Sequence, residues 1–85
     1  MVIDRPYIEQ GQIRTFLESV PEADLHWHYD NEDRFITATH STDWKFQFDN
    51  QLPQLLEEGV GFFVERGTYH RLIKGTGDLV LRIIR

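Results

Sequence analysis

His26-Trp27-His28-Tyr29-Asp30-Asn31-Glu32 is the stretch whose reading decides the fold of this 85-residue chain. In an extended strand successive side chains point to opposite faces, so His26 and His28 share one face and Trp27 takes the other. Two imidazoles at one level of a sheet can bind a divalent transition metal, and Glu32 adds a carboxylate after a short polar connection. A third imidazole is available from a later segment at His70. Taken alone, the two histidines also fit a solvated strand face, so the surrounding chain has to decide.

Downstream, the sequence reads as strand after strand. Arg34 to Thr39 is rich in β-branched and aromatic residues, and Asp43 to Asp49 alternates strictly, with Trp44, Phe46 and Phe48 on one face. Leu52 to Leu56 is a short apolar piece interrupted by Pro53, which belongs at an edge or bulge. Val60 to Val64 is apolar throughout, Tyr69 to Ile73 alternates, and Leu79 to Ile84 is a last strand. Turn residues separate them at Asn50-Gln51, Glu57-Glu58-Gly59 and Lys74-Gly75-Thr76-Gly77-Asp78. Short strands at regular spacing indicate an antiparallel sandwich or small barrel. In Glu65-Arg66-Gly67-Thr68, Gly67 is expected where the backbone needs a positive φ.

Upstream, residues 1 to 8 read as an extended arm, because Pro6 disfavours helix just before it. From Glu9 to Val20, Ile13, Phe16, Leu17 and Val20 fall at the spacing of one helical stripe, and Pro21 stops anything beyond. The spacing predicts a short amphipathic N-terminal helix covering one end or edge of the sheet. One domain is expected over 1–85, with 1–21 as arm and helix and 22–85 as the barrel.

Composition narrows the function. The chain has no Cys, which excludes a disulfide framework, a cysteine zinc site and a cysteine nucleophile. Nine Lys and Arg against fourteen Asp and Glu give a net charge of -5, and the cations are scattered singly. No nucleic-acid partner is expected from such a balance. The N-terminus has no apolar core of a signal peptide and no run is long enough for a membrane span, so a cytoplasmic location and no membrane partner are expected. Two Trp, three Tyr and six Phe are generous for so short a chain, and a homodimer that covers some of this aromatic surface is the expectation.

These motifs resemble the cupins. The first cupin motif is HxH, three or four residues, Glu, six residues, Gly; His26, His28 and Glu32 match it, and Thr39 stands in place of the Gly. The second is Gly, five residues, Pro-x-Gly, two residues, His, three residues, Asn; Gly59, Gly67 and His70 match it, with Glu65 and Lys74 in place of Pro and Asn. The resemblance covers about residues 25 to 85 and implies a small antiparallel β-barrel of the cupin, or jelly-roll, type. It also implies that His26, His28, Glu32 and His70 hold one divalent metal inside it. Such a donor set suits Fe, Mn, Ni, Co or Zn better than the oxygen-seeking Ca and Mg. Asp33 also satisfies the permitted spacing, but a shift of one residue reverses the face, and Glu32 is the expected ligand.

Of the remaining polar residues, Arg34 shares parity with Glu32 and is the candidate substrate contact. Arg71 has opposite parity to His70 and points away from the metal. His40 reads as a solvated loop histidine, and Trp44, Phe46 and Phe48 as packing residues. Two functions follow from the resemblance. One is a metal-dependent oxygenase or isomerase acting on a small molecule; the other is a non-catalytic module that binds or senses a small ligand.

Overall fold

The structure, a computed structural model, describes residues 5–85. Met1 to Asp4, the beginning of the expected arm, lie outside the described residues. Among the described residues there are eight strands: β1 (Ile8–Gln10), β2 (Ile13–Phe16), β3 (Arg34–Ala38), β4 (Lys45–Phe48), β5 (Gln54–Leu55), β6 (Gly61–Val64), β7 (His70–Ile73) and β8 (Leu79–Ile84). Every strand-to-strand ladder is antiparallel. A five-stranded sheet has the order β1-β2-β8-β3-β6 and a three-stranded sheet the order β5-β4-β7.

Two expectations need correction. The first is the helix over Glu9–Val20, where the chain instead forms the β1–β2 hairpin with Ile8 opposite Thr15 and Gln10 opposite Ile13. Gly11, at φ +60, makes the tight turn, a backbone conformation that suits glycine. β2 then pairs with β8 from Ile13 to Phe16, so Arg14 and Phe16 turn inward while Ile13 and Thr15 stay on the other face. The helical stripe and the strand share Phe16 as a buried position. Leu17 separates them: it would be core on the stripe, and it is 42% exposed.

The second correction concerns closure, because the two sheets face each other without joining into a barrel. β6 ends the large sheet, β7 ends the small one, and no ladder among the described residues links them. The strands are short, and β5, next to Pro53, has only two residues. The result is an open jelly-roll-like sandwich rather than a continuous hydrogen-bonded cylinder.

Alternation builds the core between the sheets. Along β8, Leu79, Leu81 and Ile83 are buried, while Arg82 and Ile84 are exposed. Ile36 and Ala38 from β3, Phe62 and Val64 from β6 and Phe46 from β4 complete the interior with the fully buried Trp44 and Leu56. The Trp44 indole N–H donates to the Gly77 carbonyl at 3.1 Å, so its one polar atom is satisfied. On the outer face of the large sheet, Phe35 lies opposite both Phe63 and Ile84, and all three are exposed. No helix among the described residues is long and apolar enough to cross a membrane.

Candidate metal centre

His28 and His70 meet across an isolated antiparallel bridge at one end of β7. Each amide donates to the other's carbonyl, at 3.0 Å for the His28 N–H and 2.9 Å for the His70 N–H. Directly opposed residues of such a pair project to the same face, and the two imidazole centroids lie 4.4 Å apart. His70 is 5% exposed, and its ring stacks on Phe46 at 5.4 Å. Just before it, Gly67 does take a positive φ, +82, and the turn lets its N–H donate to the Asp30 carbonyl at 2.9 Å. That bond holds Asp30 beside the two histidines.

Asp30 completes the group. One ligating atom from each of His28, Asp30 and His70 lies within 4.8 Å of the others. The two carboxylate oxygens of Asp30 have separate surroundings: Oδ1 faces Arg34 Nη1 at 3.2 Å and Oδ2 faces His70 Nε2 at 3.3 Å.

Proton placement decides what this arrangement can do. His70 Nδ1 lies 2.8 Å from the Thr68 carbonyl, and His28 Nδ1 lies 3.1 Å from the His26 carbonyl. A carbonyl only accepts, so each Nδ1 carries the proton and each neutral ring keeps its lone pair on Nε2. Burial holds His70 below the usual imidazole range, reinforced by the nearby His28 and opposed by the Thr68 bond and Asp30. A neutral His70 therefore aims a lone pair at a carboxylate oxygen, and two acceptors face each other with no proton between them. A cation placed among the three groups resolves that conflict. Two imidazoles and one carboxylate with the opposite ring nitrogens anchored are the donor set and outer support of a transition-metal triad with open positions. The residues fit the metal that the cupin motifs imply.

The residues picked from sequence take three different places. His28 and His70 are in the group. His26 is exposed and lines the adjoining cavity; the chain around it is irregular rather than a strand, so the alternation that paired it with His28 does not govern it. Glu32 is exposed and turned to two arginines, with Oε1 3.2 Å from Arg34 Nη2 and 2.9 Å from Arg85 Nε. Asp33 accepts the Arg66 N–H at 2.8 Å. Asp30 lies in the polar connection after His28, two residues on from it. The parity that paired the histidines would have reached it in one further step.

Beside the triad lies a cavity of about 380 Å³, bounded by β2, β3 and the irregular segment through Asp24–Asp30. Arg34 and Arg14 both line it, Arg14 being on the segment expected to be helical. Arg14 is 7% exposed, donates from Nε and Nη2 to Glu9 at 2.8 and 2.6 Å, and stacks over Tyr7 at 3.8 Å. Arg71 points away as expected, donating to Gln47 at 2.8 Å and lying over Trp27. His40 is half-buried and accepts the Val80 N–H at 3.0 Å, so it ties a loop to β8 instead of facing solvent.

A two-sheet jelly roll with two histidines and a carboxylate converging at one end is the arrangement that the cupin-like motifs imply, and several solved structures share the fold. A mannose-6-phosphate isomerase-like protein from Ralstonia eutropha JMP134 superposes with a TM-score of 0.60 at 15% identity, over 93% of this chain and 78% of its own. The Fe(II) form of HppE superposes with a TM-score of 0.63 at 22% identity, over 84% of this chain but only 38% of HppE. Protein NMB1881 from Neisseria meningitidis gives 0.59 at 19% identity, over 91% and 77%. No family model and no curated protein matches the sequence.

Proposed function

We propose that this cupin-type protein binds one divalent transition metal through His28, Asp30 and His70 and presents it to a small molecule in the adjoining cavity. The observation that carries the proposal is the 3.3 Å approach of His70 Nε2 to Asp30 Oδ2 while His70 Nδ1 donates to the Thr68 carbonyl. In this reading His26 lines the ligand cavity, and Glu32 organises Arg34 and Arg85. Three protein donors leave positions for water or ligand, and a metal so held supplies Lewis-acid chemistry or, if it is iron, activation of O₂. The fold shared with HppE and with the isomerase-like protein supports chemistry of oxygenase or isomerase type on a small molecule.

The test is elemental analysis of purified protein and of single variants, together with thermal unfolding with and without added Mn, Fe, Co, Ni or Zn. The expected outcome is near one equivalent of metal for wild type, His26→Ala and Glu32→Gln, and less than a tenth of that for His28→Ala, Asp30→Asn and His70→Ala. Loss of metal from Glu32→Gln with retention in Asp30→Asn would restore the ligand set read from the cupin motif. Wild-type protein that neither carries metal nor gains thermal stability from it would overturn the proposal, since a ligand specific to the native state must stabilise it.

A further inference from the structure

The charge around the cavity does not balance once a metal is present, and the imbalance says what kind of molecule belongs there. Arg5, Arg14 and Arg34 line the cavity, as do Asp24 and Asp30. The ion-pair partners just outside are Glu9, Glu32 and Arg85. Four arginines thus meet four carboxylates. With each Nδ1–H serving a carbonyl and a metal occupying each Nε2, the two imidazoles would add no charge of their own. The two charges of a bound divalent ion are left without a counter-charge, within a chain whose net charge is -5. In a partly enclosed site such an excess attracts anions strongly.

One donor is also left over. Arg34 Nε is buried and makes no hydrogen bond, although Nη1 and Nη2 face Asp30 and Glu32. A buried guanidinium N–H without a partner is uncommon, and it leaves Arg34, on the cavity wall, with donor capacity to spare for an oxyanion. Arg14 stands on the same cavity wall, its orientation fixed by Glu9 and Tyr7, so it adds charge from a rigid mount.

We infer that the cavity takes a small acid, a molecule whose carboxylate or phosphate group is bound by Arg34 with support from Arg14 while the rest of it reaches the metal. The cavity volume of about 380 Å³ suits a small molecule. The inference rests on the metal-binding reading above and adds to it the class of ligand.

The experiment compares acetate with its neutral isostere acetamide, and includes inorganic phosphate, by calorimetric titration into protein whose metal content has been measured first. In metal-loaded wild type, acetate or phosphate binds at least tenfold more tightly than acetamide; which of the two is tighter separates a carboxylate ligand from a phosphorylated one. Arg34→Met, checked to retain its metal, loses that preference to within twofold. Arg5→Gln, at an exposed position, loses a smaller factor and guards against misfolding as the cause. Metal-loaded wild type that binds acetate and phosphate no better than acetamide overturns the inference and leaves the metal proposal standing. An unchanged preference in metal-retaining Arg34→Met overturns it too. Protein that takes up no metal overturns both.

Discussion

Replacing Asp30 by Asn separates what the triad does for the fold from what it does for a metal. Without metal, the carboxylate Oδ2 faces an unprotonated His70 Nε2 at 3.3 Å, while Oδ1 faces Arg34 at 3.2 Å. An amide fits both neighbours better than a carboxylate does: its oxygen still accepts from Arg34, and its NH₂ donates to His70. The new hydrogen bond contributes about 0.5–1.5 kcal/mol net. The bond to Arg34, no longer between two charges, weakens by a comparable amount of about 1 kcal/mol. Metal-free Asp30→Asn is therefore expected to match wild-type stability within about 1 kcal/mol, or ~4–8 °C in Tm for a domain of this size. With metal the outcome reverses. At a hundredfold excess over its Kd, metal stabilises wild type by about 2.7 kcal/mol. The Asn variant has only a neutral amide oxygen to offer and loses most of that gain. The assay is thermal unfolding followed by tryptophan fluorescence, in chelator and then in excess metal, for both proteins. Two results would refute the reasoning: an Asn variant far less stable than wild type in chelator, or one whose Tm rises with metal as much as wild type does.

Two further predictions do not depend on the metal. Gly75→Ala would place a Cβ 2.7 Å from the backbone of both Asp43 and Trp44 and 2.3 Å from Asp43 Oδ1, which accepts the Thr76 N–H. Overpacking against backbone should cost about 1–3 kcal/mol, read as a lower denaturation midpoint at unchanged m-value; an unchanged midpoint would sink it. Hydrogen bonding from Arg14 holds the Glu9 carboxyl below its usual range, against a smaller opposing effect of burial. A depressed folded pKa gives stability that is present above the unfolded value of about 4.3 and is lost as pH falls through the lower folded value. Wild type should therefore exceed Glu9→Gln in Tm near neutrality, and the difference should vanish in strong acid; a difference independent of pH would refute the pairing.

The strands were legible wherever one face is buried and the other is wet. Tyr69 to Ile73 and Leu79 to Ile84 show the alternation that β7 and β8 carry out, and Asp43 to Asp49 shows the Trp44 and Phe46 face that becomes core. The helical spacing over Glu9–Val20 belongs to a hairpin instead, because four apolar residues cannot distinguish a period of 3.6 from paired strands. The deciding partner, β8, begins more than sixty residues later. Gly11-Gln12 between Ile8–Gln10 and Ile13–Phe16 was the local sign of a turn. That His28 and His70 would come together was legible because their types and spacing are specific. Asp30 was not, because its position depends on Gly67 reaching back to its carbonyl and on Arg34 fixing one oxygen, and both contacts are tertiary. Glu32, the better match to the motif, is held outward by Arg85 from the last position in the chain, which no local pattern could reveal.

The triad is built from parts of unequal rigidity, and this bears on how it would work. His70 starts a strand laddered to β4 from Lys45 to Phe48 and is packed against Phe46. His28 and Asp30 sit in an irregular segment stitched to His70 by two backbone bonds at His28 and to the preceding turn by one from Gly67 to Asp30. One of the three proposed ligands is therefore fixed by the core, while two depend on a few hydrogen bonds near the surface. A metal bridging the two parts would add a cross-link where the chain has fewest of its own. The same segment carries Asp24, Leu25 and His26 along the cavity. Holding the metal would thus also hold the cavity wall, so that ligand binding and metal binding draw on one ordering step and each should favour the other.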